Sequence, residues 1–510
     1  MAIAISQEAF DDMVRENMED LGMDPDEALA DAVDALTLQG ANLSGIIRRV
    51  PGDAAAEEVN PVMRVLEELK ASSSGRSGED LDRLVSLLDE LLELCSGEGA
   101  ENAAVAARNG GVEALVALCA SAGVTRERLL ASGLKALSSL IRDVGSTEKF
   151  RQSQGPKIVM DILKGALEKS DILDGGFSVV AAASAGNEVV KDAFMDLKVD
   201  ELILEVMRNK SNSKVQSVYD AIRVLLTPDD NRVVASQVYG YSRKFAEIGI
   251  AEVLVIALRE QVAPSSLPSA CAALKAIAVN EEICRSISEN GGIDVLLKCI
   301  DEAGVQKNKV IAKSCCSVLS KLAGSDANKA NIIQQDGFDK FLKLASRFSE
   351  DPSVIQEVMS IVQVLTLRSP EHAARAVALG YGTLAIQAMQ KFPSSALTQK
   401  QACLMIRNLV VRNPENRYDV EATSLRNLQL QLVFIPFMLL LSSPKRLFLP
   451  PQDDLAQRRC GEAYQESQGN TWKLQSCRHR CLERPGLGQL QCVENLDSLP
   501  CVKFACVRMF

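Results

Sequence analysis

Residues 290–297 read Asn-Gly-Gly-Ile-Asp-Val-Leu-Leu, and copies of this motif set the period of most of the chain. Each copy has a polar residue, a glycine, three variable residues and two apolar residues. The positions that align with Gly292 are 111, 155, 198, 249, 337 and 380, and position 198 carries lysine instead of glycine. Successive positions are 44, 43, 51, 43, 45 and 43 residues apart, so the chain contains a repeat of about 43 residues.

Each repeat predicts one short and two longer helices. A short polar-to-apolar segment such as 281–287 comes first, and the glycine after it is expected at the left-handed position that ends a helix. Apolar residues then follow at helical spacing in a second segment, 338–345, and in a third, 315–323. Three helices of this length cannot bury their apolar faces alone, so neighbouring repeats must stack.

The segment 402–410, Ala-Cys-Leu-Met-Ile-Arg-Asn-Leu-Val, is similar to the third-helix signature of armadillo repeats. Over residues 100–416 the repeat pattern resembles the armadillo family, with about six complete units and one truncated unit. The resemblance implies an all-α fold: an armadillo-type α-solenoid, a right-handed superhelix of three-helix repeats. It also implies a non-enzymatic protein that binds other proteins.

The chain of 510 residues divides into four predicted segments. Residues 1–50 form an acidic amphipathic helical arm and residues 51–80 a linker with a short helix. The armadillo array follows over residues 81–416. Residues 417–510 are an atypical, Cys-containing C-terminal segment that lacks the next glycine and departs from the family pattern. Two alternatives stay open for it: its apolar run 432–441 partly covers the end of the array, or the segment is poorly folded.

The arm carries most of the net negative charge of the chain. Residues 1–40 hold eleven Asp or Glu and one Arg, Arg15, a net charge of −10. Apolar residues at helical spacing predict two short helices, and Asp24-Pro25-Asp26-Glu27 is a typical start for the second. Two interpretations stay open: a hairpin that caps the first repeat, or a mobile acidic arm that docks a partner or its own groove.

Composition argues against several classes of function. The chain has one Trp and two His, which is too few for a site built from several His ligands, and no phosphate-loop, nucleophile-elbow or zinc-protease motif occurs. A net charge of −11 without a basic stripe argues against nucleic-acid binding. The sequence predicts a protein that is not an enzyme and that has no cofactor and no metal.

The sequence predicts an intracellular protein, cytoplasmic or nuclear, without membrane contact. The first residues lack the basic region and long apolar core of a signal peptide. The longest apolar run, 432–441, has ten residues and a proline, which is too short to cross a bilayer.

The resemblance places a binding groove along the third helices. Residues aligned there give scattered bases and one asparagine as protein-binding candidates: Arg223, Lys275, Lys321, Arg407 and Asn408. They favour a scaffold or adaptor whose partners are other proteins, with extended or acidic segments. The alternative is an importin-like cargo receptor, which would need aligned Asn and Trp residues; only Asn408 fits, and the array has no Trp.

The 51-residue spacing marks an insertion, predicted to be a loop with a mixture of residues typical of interfaces. Its protein-binding candidates are Arg232, Tyr239, Tyr241, Arg243 and Lys244. An alternative is that the insertion extends a helix and buries its rings against the next unit.

The C-terminal segment offers a second alternative function, a metal-binding module. Cys477, His479 and Cys481 have a spacing that zinc could use, but the other pair, Cys501 and Cys506, is loosely spaced and has no partner His. The sequence therefore favours no metal here.

Overall fold

The computed structural model describes residues 3–416 except 44, 49, 52–59, 73–77, 98–99, 210–214, 229–234, 261–262, 412 and 414. The chain divides into two compact units, residues 1–365 and residues 366–510, and each is described by itself. The segment 417–510, including its zinc alternative, lies outside the described residues.

The arm is a helical hairpin with its own core. Helices α1 (Gln7–Glu19) and α2 (Pro25–Leu38) are joined at their bases by a two-residue parallel pair, β1 (Ile3–Ala4) and β2 (Ala41–Asn42). The core consists of apolar side chains from both helices and from the segment after β2: Phe10, Val14, Ala28, Ala32, Leu36, Leu43 and Ile46. As predicted, Asp24 caps α2, and its carboxylate accepts from the backbone N–H of Asp26.

Two helices lie between the arm and the first complete repeat: α3 (Pro61–Ser72) and α4 (Gly78–Cys95). In the described part of the chain the remaining helices form seven triplets. The first helices are α5 (Ala100–Arg108), α8 (Val144–Gln152), α11 (Glu188–Asp196), α14 (Ala235–Glu247), α17 (Glu281–Glu289), α20 (Asp326–Gln334) and α23 (Pro370–Ala378). The second helices are α6 (Gly111–Ala122), α9 (Gly155–Gly165), α12 (Val199–Arg208), α15 (Ile250–Arg259), α18 (Gly292–Gln306), α21 (Gly337–Arg347) and α24 (Tyr381–Lys391). The third helices are α7 (Glu127–Leu140), α10 (Ser170–Ser184), α13 (Ser217–Leu226), α16 (Leu267–Ile277), α19 (Lys309–Leu322), α22 (Pro352–Thr366) and α25 (Ala396–Val410).

Two details of the predicted repeat are corrected. The described residues hold seven complete triplets, not six and a truncated one, because α25 completes the last repeat before residue 417. The described part of the insertion, from residue 235 onward, is a helix rather than a loop: α14 has 13 residues, whereas α11 and α17, the first helices on either side of it, have nine each. The alternative of an extended helix is correct for this part, but the Tyr241 hydroxyl meets α11 of the preceding repeat rather than the next unit.

The glycines of the repeat have two different roles. Gly249 and Gly380 have positive φ angles after a first helix, as predicted, and Lys198 adopts the same conformation. In the other repeats, however, the left-handed residue comes one position earlier: Gly110, Gln154, Gly291 and Asp336. The glycine that follows each of them begins the second helix, where a side chain would collide with the end of the first helix.

In the first unit α4 packs on the first of the third helices, α7, and further third helices follow in order: α7 on α10, α10 on α13, α13 on α16 and α16 on α19. Their apolar side chains, such as Leu134 on α7 and Leu274 on α16, are completely buried. First helices also meet, since the rings of Phe150 and Phe194, on α8 and α11, lie 6.4 Å apart. Stacking therefore supplies the apolar contacts that no single triplet could make.

Basic side chains near the ends of α3 and of two second helices contact the following repeat. Each donates to a carbonyl just after the first helix of that repeat: Lys70 to Asn109 (2.7 Å), Lys164 to Leu197 (3.4 Å) and Arg259 to Asn290 (2.7 Å). Carbonyls at the end of a helix lack partners within the helix and carry the negative end of its dipole. A cation there stabilises the packing of two repeats.

The arm contacts the first helix of the array. The Arg108 Nη1 on α5 donates to the carbonyl oxygen of Ile5 at 2.9 Å. Gly45, with a φ of +77°, packs so closely on α5 that a Cβ would lie 2.7 Å from the Ala104 carbonyl oxygen. The described arm therefore touches α5 through residues at both of its ends.

No single helix in the described part of the chain has the length and apolar composition of a membrane span. The segments Glu101–Arg108 and Gly111–Ala122 pass such a test only as a pair, and they bend by 73°.

Candidate interaction surface

The exposed faces of five successive third helices, α10, α13, α16, α19 and α22, form what we call the third-helix surface. Its partly exposed polar side chains include Asp174 and Ser178 on α10, Asp220 and Arg223 on α13, Ser269 and Lys275 on α16, Lys313 and Ser317 on α19, and Glu357 on α22. All belong to the first unit.

Two carboxylates mark the acidic part of the third-helix surface. Asp174 Oδ1 accepts a hydrogen bond from the Ser217 backbone N–H at 3.2 Å, across one repeat. Burial raises the pKa of Asp220 above its ordinary value; Arg223, 3.8 Å away, and a hydrogen bond from Ser269 oppose this, whereas Asp174 adds to it. The half-buried carboxylate is thus only weakly compensated within the chain.

Two lysines mark the basic part. Lys275 Nζ on α16 donates to Ser317 Oγ on α19 at 2.7 Å, which orients the ammonium group along the surface. Burial raises the pKa of Glu357, while the positive charges of Lys275 and Lys313 oppose this rise. The three groups therefore share one neighbourhood in which two cations face one desolvated carboxylate.

The predicted groove residues divide between the units. Arg223, Lys275 and Lys321 are exposed on third helices of the first unit, and Lys321 lies near Cys284, where its charge opposes the rise in the thiol pKa that burial causes. Arg407 and Asn408 lie on α25 of the second unit. There they line a cavity of about 150 Å³ together with residues of 366–373.

The insertion helix α14 separates its predicted residues into buried and exposed ones. Tyr241 is buried, its hydroxyl bonds Asp192 on α11, and the neighbouring Phe245 is also buried. Arg243 and Lys244 are exposed, with Lys244 Nζ 5.9 Å from the Tyr241 ring centre. Arg232 and the side chain of Tyr239 lie outside the described residues.

Sequence reasoning missed Asp174, Asp220, Lys313 and Glu357. Aligning the third helices on Arg407 and Asn408 compares only two positions of each helix. The alignment also does not include α10, the third helix of the repeat whose second helix begins at Gly155. Moving three or seven residues upstream along the helical face leads to Asp220 and Lys313, because residues at that spacing share one side of a helix. The sign of the charge of each residue could therefore be read from the sequence, but the burial of its side chain could not.

Among the described residues, no group of three or more His, Cys, Asp or Glu is arranged to hold a metal ion.

Stacked three-helix repeats with a row of third helices open on one side define an armadillo-type α-solenoid. An engineered protein solved by the Northeast Structural Genomics Consortium has a similar fold, with a TM-score of 0.54 and 17% identity over 72% of this chain and 92% of that chain.

Within that class, the chain is similar to armadillo repeat-containing protein 6. Residues 2–73 match the family model of the Armadillo repeat-containing protein 6 N-terminal domain. The Homo sapiens protein is 26% identical over 389 residues, 72% of this chain and 75% of that protein. The Drosophila melanogaster homolog is 26% identical over 387 residues, 73% of this chain and 79% of that protein. Segments 5–17, 227–233 and 399–409 carry the same resemblance.

Proposed function

We propose that the protein is a non-enzymatic scaffold that binds an extended segment of another protein along its third-helix surface. The observation that supports this most strongly is the sorting of charge along successive helices. Asp174 and Asp220 lie on α10 and α13, where the exposed Arg223 is paired with Asp220 at 3.8 Å, whereas Lys275 and Lys313 lie on α16 and α19. An extended partner with basic residues in one half and acidic residues in the other would match this order.

This proposal refines the prediction, made from the scattered bases of the groove, that the partner has acidic segments. A partner that is acidic throughout would meet Asp174 and Asp220, where burial already disfavours the ionised carboxylate of Asp220. A basic side chain of the partner beside Asp220 would take the place of the water that burial removes from its carboxylate. An acidic side chain of the partner would do the same for the ammonium groups of Lys275 and Lys313. We infer a partner segment that carries both charges in separate blocks.

The distance between packed helices gives the spacing of the charged residues along such a partner segment. Packed helix axes lie about 8–10 Å apart, and an extended chain advances about 3.3 Å per residue. One repeat therefore corresponds to about three residues of an extended partner. Four helices, from α10 to α19, correspond to a segment of roughly a dozen residues.

The test uses a fluorescein-labelled synthetic peptide of about twelve residues, with lysines in one half and glutamates in the other at a spacing of about three residues. Fluorescence anisotropy with the full chain should show binding that weakens as salt rises, because exposed charges are screened. A peptide of the same composition with alternating charges should bind more weakly.

Variants locate the binding. A double variant with Lys275→Glu and Lys313→Glu, which reverses both charges, should bind the peptide with separate lysine and glutamate halves about tenfold more weakly or worse. A tenfold change corresponds to about 1.4 kcal/mol. Glu357→Gln should strengthen it, since it removes a carboxylate that competes for the same lysines. The matched control is Lys157→Glu with Lys298→Glu, two exposed lysines on second helices. Equal losses in the control pair and the Lys275/Lys313 pair would contradict the proposal.

A further inference from the structure

Three thiols meet where the fourth and fifth triplets pack together. Cys271 on α16 and Cys315 on α19 occupy matching places in neighbouring repeats, 44 residues apart, and their sulfur atoms lie 3.9 Å apart. Cys299, on α18, is the second thiol neighbour of Cys315, and each of the two influences the pKa of the other. Cys315 is therefore the central member, with one thiol neighbour in its own repeat and one in the repeat before.

The three thiols differ in access to solvent. Cys271 and Cys315 are completely buried, whereas 8% of Cys299 is exposed. Cys299 is thus the member that a small solute meets first. A bulky thiol such as glutathione has no comparable access, but a peroxide is small and uncharged, and its oxygen can approach a sulfur that is only slightly open.

The neighbouring thiols also make the three sulfurs unequal as nucleophiles. The Cys315 thiol beside it holds the pKa of Cys299 below its ordinary value, whereas the Cys271 and Cys299 thiols, together with burial, raise the pKa of Cys315 well above its own. Because the thiolate is the reactive form, Cys299 is favoured as the first sulfur to react. Cys316, next to Cys315, is completely buried, and burial raises its pKa, so it offers a matched comparison.

We propose that Cys299, Cys315 and Cys271 form a peroxide-sensitive relay that ends in a disulfide between two neighbouring repeats. The Cys299 thiolate attacks one peroxide oxygen, the O–O bond breaks, and the hydroxide that leaves is protonated to water, which gives a sulfenic acid. The Cys315 sulfur then attacks the Cys299 sulfur, the S–O bond breaks, and the Cys315 proton leaves with the hydroxide as a second water. Two thiols are oxidised to one disulfide, and one peroxide is reduced to two waters.

A final exchange moves the bond across the repeat boundary. The Cys271 sulfur attacks Cys315, forms the Cys271–Cys315 disulfide and releases the Cys299 thiol, with no further oxidant needed. The product joins α16 to α19, the same two helices that the Lys275–Ser317 hydrogen bond connects. None of these three steps depends on the proposed binding function.

The experiment treats the folded, reduced full chain with graded hydrogen peroxide, blocks the remaining thiols in denaturant with N-ethylmaleimide, and maps disulfides by mass spectrometry. We expect Cys299–Cys315 at early times, Cys271–Cys315 later, and both lost after dithiothreitol. Cys316 should stay reduced throughout. Site-by-site mapping also keeps the six cysteines after residue 417 from interfering.

Three variants separate the steps. Cys299→Ala should slow formation of the Cys271–Cys315 bond by about tenfold or more, because the accessible thiol is gone. Cys271→Ala should stop the sequence at Cys299–Cys315, and Cys316→Ala should change nothing. Circular dichroism of each variant checks folding, and the mapping of the unmodified chain decides the proposal if a variant does not fold. Oxidation of Cys316 at the same rate, or sulfinic acid at Cys299 without any disulfide, would overturn it.

Discussion

Glycines at the start of second helices are required by contact rather than by backbone freedom. A Cβ on Gly337 would lie 2.6 Å from the Ile332 carbonyl oxygen, and one on Gly292 would lie 2.8 Å from the Ile287 carbonyl oxygen. Both glycines lie five residues after a carbonyl of the preceding first helix. The second helix can therefore cross the end of the first one only where a side chain is missing.

We expect Gly337→Ala to lower the free energy of unfolding by about 1–3 kcal/mol, since the backbone atom it meets cannot rotate away. Gly240→Ala is the matched control. Gly240 lies inside α14, and a Cβ added there would have no atom within 4 Å, so the change should stabilise by up to about 1 kcal/mol. Urea unfolding followed by circular dichroism measures both. A loss at Gly240 equal to that at Gly337 would show that helix propensity, not contact, governs these positions.

The repeat could be predicted from the sequence because glycine and the paired apolar residues act within a few positions of each other. The left-handed residue was misplaced in four repeats for two reasons. Gln154 and Asp336 take that conformation without being glycine, and at Gly110 and Gly291 a second glycine follows directly, so the motif did not distinguish the two positions. Asp174 could not be found as a partner of Ser217, since the two meet only when repeats 43 residues apart are stacked. Local patterns thus predict elements, while contacts between repeats require the packed structure.

Among the elements, α11 contains a buried cation. Lys191 is 1% exposed, and its Nζ lies 2.9 Å from Glu188 Oε1 and 2.6 Å from the carbonyl oxygen of Thr227, which follows the third helix of the same repeat. The lysine thus satisfies a carboxylate and the end of a neighbouring helix together. Because α11 and α13 belong to one triplet, this contact fixes their packing.

We expect Lys191→Ala to destabilise the protein by about 3 kcal/mol, because it leaves a carboxylate and a carbonyl without this cation. Lys298→Ala is the control: its ammonium group is 69% exposed and lies 3.8 Å from Glu302. The control should leave the unfolding midpoint unchanged within error. Thermal unfolding of the two variants decides the point, and equal midpoints would contradict the structural role of Lys191.

At the scale of the whole molecule, the arm and the array could be predicted as separate segments, but their contact could not. The charge of residues 1–40 fitted both a cap and a mobile docking arm. The choice depends on Gly45 and Arg108, which are far apart in sequence and carry no motif. Their contacts tie the arm to α5 and leave its acidic residues mainly on the outer faces of α1 and α2.

We expect Gly45→Ala to release the arm, since the new side chain would collide with the Ala104 backbone and strain a positive φ angle. Trypsin cleavage after the exposed Arg48 should then be roughly tenfold faster, as a loss of about 1.4 kcal/mol in docking implies. Gly22→Ala also has a positive φ, but no atom lies within 4 Å of its Cβ. Equal cleavage in the two variants would show that strain alone, not contact with α5, explains the effect.

The tie between Arg108 and Ile5 spans 103 positions, and this has a consequence for biosynthesis. A ribosome adds about 5–20 residues per second, so Ile5 emerges roughly 5–20 s before Arg108, and the complete hairpin with Ile46 emerges roughly 3–12 s before it. The hairpin can bury its own core in that interval, but the side of it that later meets α5 stays open. Chaperones that attend the nascent chain would encounter that side first, and completion of α5 would end their access.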